Sequence, residues 1–228
     1  MKLHPCNIIL ITAITLSGWA MAADPTKPSV GADDALARLK AGNERFASSK
    51  VSSGKPVAAR RAETAQEQHP FAIIVGCADS RTAPEIVFDQ NIGNLVDDYA
   101  LRSIEYTVEH LGARLIVVLG HERCGAVTAA LGGGSAPGHV NSLVRDLQPA
   151  VAASKGKEGN ALANAIHEND AAVAAKMRKQ TQLGEFAPQV RVVERGYYGL
   201  DTGKVAWGAS KSEFQGYFLG TTKVQQDS

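Results

Sequence analysis

Two short, continuous apolar runs constrain the fold of this chain more than any other feature. They are Phe71–Gly76 and Leu115–Leu119, and both are rich in β-branched residues. Runs of this length and composition are typical of strands that are buried on both faces, as in parallel sheets covered by helices. The two runs therefore predict neighbouring parallel strands in the core of an α/β fold.

The segments between and around these runs predict helices and further strands. Apolar residues recur at helical spacing in Ala32–Ser48 and in Asp98–Leu111, and Gly112 ends the second of these helices. Other helical or helix-like segments are Ala58–Gln68 (as a helix or a loop), Pro84–Asp89, Cys124–Leu131, Asn141–Ala153 and Glu158–Thr181. Further strands are predicted at Gln189–Val193 and on the two sides of a turn at Asp201–Gly203. Alternation of strands and helices predicts a parallel sheet, whose ligands bind beyond the carboxyl ends of the strands.

The first 22 residues have the pattern of an export signal. Lys2 supplies a positive charge, Ile8–Leu16 is apolar, and Ala20–Ala22 fits a small-x-small cleavage site. The apolar run is too short for a stable membrane anchor, and the alternative of a buried N-terminal helix lacks an amphipathic pattern. We therefore expect a periplasmic or otherwise exported protein. Its segments would be a signal peptide at residues 1–22, a flexible lead-in at 23–31, one domain at 32–208 and a C-terminal tail at 209–228.

The charge balance argues against two classes of partner. The chain has 24 Lys and Arg residues against 23 Asp and Glu residues, and cleavage of the signal would remove Lys2. A chain without net charge offers no general electrostatic attraction to nucleic acid or to a membrane surface. We expect neither as a partner.

Each of the two apolar runs is followed at once by side chains that bind metals. Cys77 and Asp79 follow the first run, and His121 and Cys124 follow the second. Alternate residues of an extended chain point to the same side, and neighbouring parallel strands would bring the two pairs together. Zinc favours tetrahedral nitrogen and sulfur ligation and keeps one exchangeable position in catalytic sites. Asp79 could therefore ligate the metal or stand back and accept a proton.

The residues alone leave three interpretations of this set open. A disulfide between Cys77 and Cys124 is the first expectation for an exported protein that keeps two cysteines, but it leaves His121 unexplained. A closed structural zinc site with four protein ligands is the second. A catalytic zinc site with three protein ligands and one open position is the third.

The same residues carry a resemblance to the β-class carbonic anhydrases. The matching motifs are Cys77–Arg81, Pro84–Ile86, Phe88–Gln90, Ser103–Tyr106, Glu109–Gly112 and Gly120–Ala126. The similarity extends from about Leu36 to Trp207, with further matching segments at Gly42–Phe46 and Tyr197–Gly203. The resemblance implies a parallel sheet flanked by helices, a bound Zn²⁺ and the interconversion of CO2 and bicarbonate by attack of zinc-bound hydroxide. It also implies a homodimer or a higher homo-oligomer.

The resemblance implies a role for each residue of the site. Cys77, His121 and Cys124 would hold zinc permanently. Asp79 would either pair with Arg81 and leave a position open for water, or bind the metal and close the site. Arg81 would keep Asp79 ionised, because a nearby cation lowers the pKa of a carboxyl group. The glycines that flank the second motif, Gly120 and Gly125, are interpreted as positions where the backbone approaches the metal closely.

One segment departs from the family pattern. By comparison with the family, roughly nine residues are missing between Gln90 and Asp97, which is the length of one strand and its turn. We therefore expect the chain to lack one strand of the family core. Its loss could remove a wall of the substrate pocket, weaken dimerisation or expose a strand edge. The alternatives to a working carbonic anhydrase are a weak or inactive zinc-binding member of the same fold and a relative that acts on a sulfur analogue of CO2.

Overall fold

A five-stranded sheet forms the centre of the protein. The computed structural model describes residues 30–50, 57–65, 68–82, 89–90, 92–133, 137–180 and 188–208. The strands in these segments are β1 (Ile73–Gly76), β2 (Asp89–Gln90), β3 (Leu115–His121), β4 (Arg191–Tyr198) and β5 (Val205–Ala206). Their order across the sheet is β2-β1-β3-β4-β5. The first four strands are parallel, and β5 pairs with β4 in the antiparallel sense.

Six α-helices accompany the sheet within the described segments. They are α1 (Ala32–Ala47), α2 (Val57–Thr64), α3 (Asp98–Leu111), α4 (Gly125–Leu131), α5 (Val140–Ser154) and α6 (Ala161–Gln180), and a short 3-10 turn spans Ile92–Asn94. The predicted α/β fold with a parallel core is confirmed. The helices and the central strands lie where their patterns predicted them, with shifts of a few residues at the ends.

The start of α3 illustrates how sequence sets a boundary. Asp97 adopts an extended backbone, and its side chain accepts a hydrogen bond from the Ala100 N–H at 2.9 Å. This N-cap satisfies one of the N–H groups that the first turn of a helix leaves unpaired. The predicted apolar side of the helix is buried, including Ile104 and Val108, and Gly112 follows its last residue as expected.

A two-residue strand precedes the segment in which we expected one strand of the family core to be missing, and the loss of that family strand stays a prediction. Asp89 and Gln90 pair with Val75 and Gly76 of β1, so β2 occupies one edge of the sheet with two residues. The prediction of helix through Asp89 is wrong at that residue. The physical reason is that β1 presents unpaired backbone groups on this side, and a parallel segment can satisfy them. The rest of the predicted helix, residues 84–88, lies outside the described residues.

The central strand β3 organises the core because all seven of its residues are buried. Side chains alternate between the two faces of a strand. Ile116 and Val118 pack in one layer with apolar side chains of α3 and α6. Leu115 and Val117 pack in the other layer, which includes Leu36 of α1. Two covered faces explain the continuous apolar run in the sequence.

The two ends of the chain lie outside this description. Residues 1–29 and 209–228 are not among the described residues, so the signal peptide at residues 1–22, most of the lead-in and the tail stay predictions. Among the helices that are described, none is both long enough and apolar enough to cross a membrane.

Candidate metal centre

The carboxyl ends of β1 and β3 bring three ligand-type side chains together. The two strands are neighbours, with Gly76 paired to Leu119. Cys77 follows β1, His121 ends β3, and Cys124 lies directly before α4. Their ligand atoms all lie within 4.8 Å of one another, and all three residues are buried. The predicted convergence of the two motifs is therefore confirmed for these three residues.

The donors present fit zinc. The Nδ1 atom of His121 lies 2.8 Å from the carbonyl oxygen of Glu122. Because a carbonyl oxygen only accepts, Nδ1 carries the hydrogen and Nε2 carries the lone pair. This Nε2 atom is buried and has no hydrogen-bond partner among the described residues, a costly state for a polar atom. A metal ion would satisfy it, and one imidazole with two thiols is a donor set that zinc prefers.

The two cysteines are free thiols in the structure, so the disulfide interpretation is wrong. The pKa of Cys77 is lowered to about 4, first by a hydrogen bond from the side chain of Cys124. Burial opposes this shift, and interactions with His121 and the Gly93 amide reinforce it. The same contact with Cys77, together with burial, raises the pKa of Cys124. The two thiols therefore titrate together, and one sulfur atom carries negative charge while the other still holds its proton.

Asp79 is turned toward Arg81. The guanidinium donates from Nε to Oδ1 at 2.9 Å and from Nη2 to Oδ2 at 2.6 Å, and the Arg81 backbone N–H donates to Oδ1 at 3.0 Å. The side-chain bond to Arg81 is the main reason that the pKa of Asp79 lies well below its ordinary range. Oδ2 of Asp79 still lies 3.9 Å from Nε2 of His121. The resemblance implied that Asp79 either pairs with Arg81 or binds the metal. The structure has the pair with Arg81, which lies at the edge of the ligand cluster.

The loop between His121 and Cys124 is held by the turn between β4 and β5. The Glu122 backbone N–H donates to the Tyr198 carbonyl at 2.9 Å, and the Glu122 carboxylate accepts from the Leu200 N–H at 2.9 Å. Arg123 has a left-handed backbone (φ 51°) and forms a bidentate ion pair with Asp201 at 2.7 and 2.8 Å. The Arg123 carbonyl also accepts from the Arg81 guanidinium at 3.2 Å. Arg81 therefore joins the turn that carries Asp79 to the loop that carries Arg123.

Four residues around the site were missed by the sequence reasoning. They are Gly93 and Asn94 in the 3-10 turn and Asn169 and Asp170 in α6. All four are buried. One signal was available for Asp170, because it lies at helical spacing from the apolar residues Ile166, Val173 and Met177 and so falls on the buried side of the helix.

Asp170 also explains why residue 120 is glycine. A Cβ atom on Gly120 would overlap the Asp170 carboxylate and lie 2.8 Å from Cγ2 of Ile166. A Cβ atom on Gly125 would meet nothing within 4 Å. Close packing against α6 therefore requires glycine at position 120, and the interpretation that these two glycines admit the backbone to the metal stays a prediction.

Comparison with known proteins identifies the family. A model of the carbonic anhydrase family matches residues 72–205. The carbonic anhydrase of Mycolicibacterium smegmatis is 36% identical over 183 residues, which cover 73% of this chain and 88% of that protein. Among solved structures, a Coccomyxa β-carbonic anhydrase in complex with acetazolamide has the same fold, with a TM-score of 0.59 at 24% identity, over 82% of this chain and 99% of that chain. This chain belongs to the β-class carbonic anhydrase family.

A second relative matches a shorter stretch of this β-class chain. Carbonic anhydrase 2 of Mycobacterium tuberculosis is 44% identical over 126 residues. These residues make up 50% of this chain, and they span 61% of the length of that relative.

Proposed function

We propose that this chain is a zinc-dependent carbonic anhydrase that interconverts CO2 and bicarbonate, with release or uptake of a proton. The observation that carries the proposal is the ligand cluster of Cys77, His121 and Cys124 beside the Asp79–Arg81 ion pair. Three protein ligands are typical of a catalytic zinc site. A purely structural zinc site would have no need of an ionised carboxylate that is turned away from the metal ligands.

Each residue has a part in this chemistry. Zinc, when bound, lowers the pKa of a coordinated water to about 7 and so makes a nucleophile available near neutral pH. Cys77 and Cys124 place more negative charge on the metal than neutral histidines would, which works against that effect. Asp79 would offset this influence of the thiolates by accepting a hydrogen bond from the coordinated water. The hydrogen bonds from Arg81 keep Asp79 ionised and aimed.

Asp79→Asn tests the role of the carboxylate. The amide keeps the shape of the side chain but is no longer an anionic acceptor, so CO2 hydration should fall by roughly 10²–10⁴-fold, the usual contribution of a positioned acid or base. Asp201→Asn is the matched control, because Asp201 also forms a bidentate pair with an arginine but stands outside the ligand cluster. Stopped-flow hydration assays across pH, with zinc content measured on each sample, give the comparison. Equal rates for native protein and Asp79→Asn would remove Asp79 from this role.

A zinc-binding member with little or no turnover is the second candidate. The expected loss of a family strand after Gln90 favours it, because the edge strand β2 has only two residues, and one of them pairs with Gly76, next to the ligand Cys77. All three ligands are nevertheless present. Purified protein that contains one zinc per chain but hydrates CO2 no faster than background would refute the proposed activity. The same result would support the zinc site.

Export and oligomerisation complete the proposal. The N-terminal pattern supports cleavage after Ala22, so mass spectrometry of protein secreted from a bacterial host should find a chain that starts at Ala23. A homodimer or higher homo-oligomer is supported by the outer face of α3, where the large side chains of Tyr99 and Tyr106 are exposed by 76% and 53%. Sedimentation of the mature chain as a monomer at micromolar concentration would contradict the oligomer.

A further inference from the structure

Helix α6 contacts residues 93–96, which we call the anchored segment, through two backbone carbonyls and one side chain. The Nδ2 atom of Asn169 donates to the Gly93 carbonyl at 2.7 Å. The Asp170 carboxylate accepts from Nδ2 of Asn94 at 2.8 Å, and Nζ of Lys176 donates to the Val96 carbonyl. Three polar side chains of one helix thus determine where this short segment lies.

The anchored segment touches the candidate metal centre at one atom. The Gly93 N–H donates to Sγ of Cys77 at 3.3 Å, in a buried environment. Gly93 has φ 72° and ψ 22°, and a Cβ atom there would lie 3.3 Å from Cβ of Ala126. Both the left-handed backbone and the lack of space favour glycine. Asn169 binds the Gly93 carbonyl, and the Gly93 N–H donates to the Cys77 sulfur. The position of this N–H therefore depends on how the carbonyl is held.

We propose that Asn169 is a positioning residue of the metal centre, which holds Gly93 so that its N–H stays on the Cys77 sulfur. The inference rests on the proposed zinc site. A hydrogen bond to a thiolate stabilises the negative charge on sulfur. It therefore reduces the charge that Cys77 gives to a bound metal, and it counters the effect of having two thiolate ligands. Partners behind the ligands commonly tune metal affinity by 10–100-fold.

Asn164 supplies a matched control on the same helix. Its Nδ2 atom also donates to backbone carbonyls, those of Lys157 and Glu158 at 3.4 and 3.1 Å. These bonds stabilise the start of α6 and do not involve the anchored segment. A purely structural role for Asn169 would make Asn169→Ala and Asn164→Ala similar in every property except the size of the stability loss.

The decisive measurement is the absorption spectrum of the Co²⁺-substituted protein. Loss of the N–H···S bond raises the energy of the sulfur electrons, so the thiolate-to-cobalt charge-transfer band of Asn169→Ala should move to longer wavelength. Zn²⁺ affinity, measured by competition with a chelator, should fall by roughly 10–100-fold, because Cys77 loses the partner that orients its sulfur atom. Asn164→Ala should keep the native band position. A band that stays in place in Asn169→Ala would overturn the inference.

A second measurement covers the case in which Asn169→Ala does not fold. In native protein loaded with ¹¹³Cd²⁺, the Gly93 amide proton should show scalar coupling to the metal through the hydrogen bond to sulfur. Asn169→Ser keeps a polar side chain, but the serine is too short to reach the Gly93 carbonyl. This variant should therefore weaken that coupling. Absence of coupling in the native protein, or unchanged coupling in Asn169→Ser, would overturn the inference.

These readouts separate the inference from the proposed activity. A shifted band in protein that does not hydrate CO2 would support the inference and refute the enzyme. An unshifted band in protein that hydrates CO2 would refute the inference and support the proposed activity. Failure of the native protein to bind Co²⁺, Cd²⁺ or Zn²⁺ would refute both.

Discussion

Gly120→Ala should destabilise the fold far more than a single methyl group usually does. Gly120 lies where α6 packs against β3, one residue before His121. The added Cβ atom would overlap the Asp170 carboxylate and lie 2.8 Å from Cγ2 of Ile166. Asp170 is fully buried and its Oδ1 atom accepts from Asn94, so a shift of the carboxylate away from the new Cβ atom would disturb that bond.

The size of the effect follows from two costs. Overpacking of a well-filled core costs about 1–3 kcal/mol. Displacing the Asp170 carboxylate from Asn94 would leave a buried hydrogen-bonding group unpaired, at about 1–3 kcal/mol more. We therefore expect the free energy of unfolding to fall by about 2–6 kcal/mol, a large share of the 5–15 kcal/mol that is usual for a domain.

A double-mutant cycle measured by urea unfolding of the metal-free protein tests this reasoning. Asp170→Ala removes the carboxylate, so Gly120→Ala should cost at least about 1 kcal/mol less in that background than in the native one. Gly125→Ala is the control, since its Cβ atom meets nothing within 4 Å and alanine favours a helix. Additive single effects, or equal costs for Gly120→Ala and Gly125→Ala, would refute the steric account.

Three further predictions concern stability. Burial raises the pKa of Asp170 from 3.8 to about 8. The folded chain therefore keeps a proton that the unfolded chain releases, and the unfolding free energy should fall as pH rises through this window, by up to about 1.4 kcal/mol per pH unit. Asp170→Asn should flatten that slope in urea titrations, and parallel slopes would contradict the assignment. Asp97→Ala should cost about 0.5–2 kcal/mol through loss of the N-cap, whereas the control Asp98→Ala keeps the cap and should cost less in the same titrations. Zn²⁺ at about 100 times its dissociation constant should stabilise the fold by roughly 2.7 kcal/mol, seen as a higher melting temperature; an equal rise in Cys124→Ser would exclude that ligand.

Features that depend on residues close together in the chain could be predicted from the sequence. Apolar runs predicted β1 and β3 because a strand buried on both faces needs apolar side chains at every position. Helical spacing predicted α3, and Gly112 marked its end. The ligands could be predicted because each follows its strand directly, so their meeting depends only on two strands being neighbours.

The surroundings of the site depend on contacts between distant parts of the chain, so they became visible in the folded protein. Asn169 and Asp170 act on Gly93 and Asn94 across 76 residues of sequence, and no local pattern records which distant carbonyl a buried amide will meet. The choice of Asp79 between metal and arginine depends on where Arg81 and the Arg123 carbonyl lie in space. The sequence singled out Gly120 but could not predict its packing, because the group that excludes a side chain there comes from another helix.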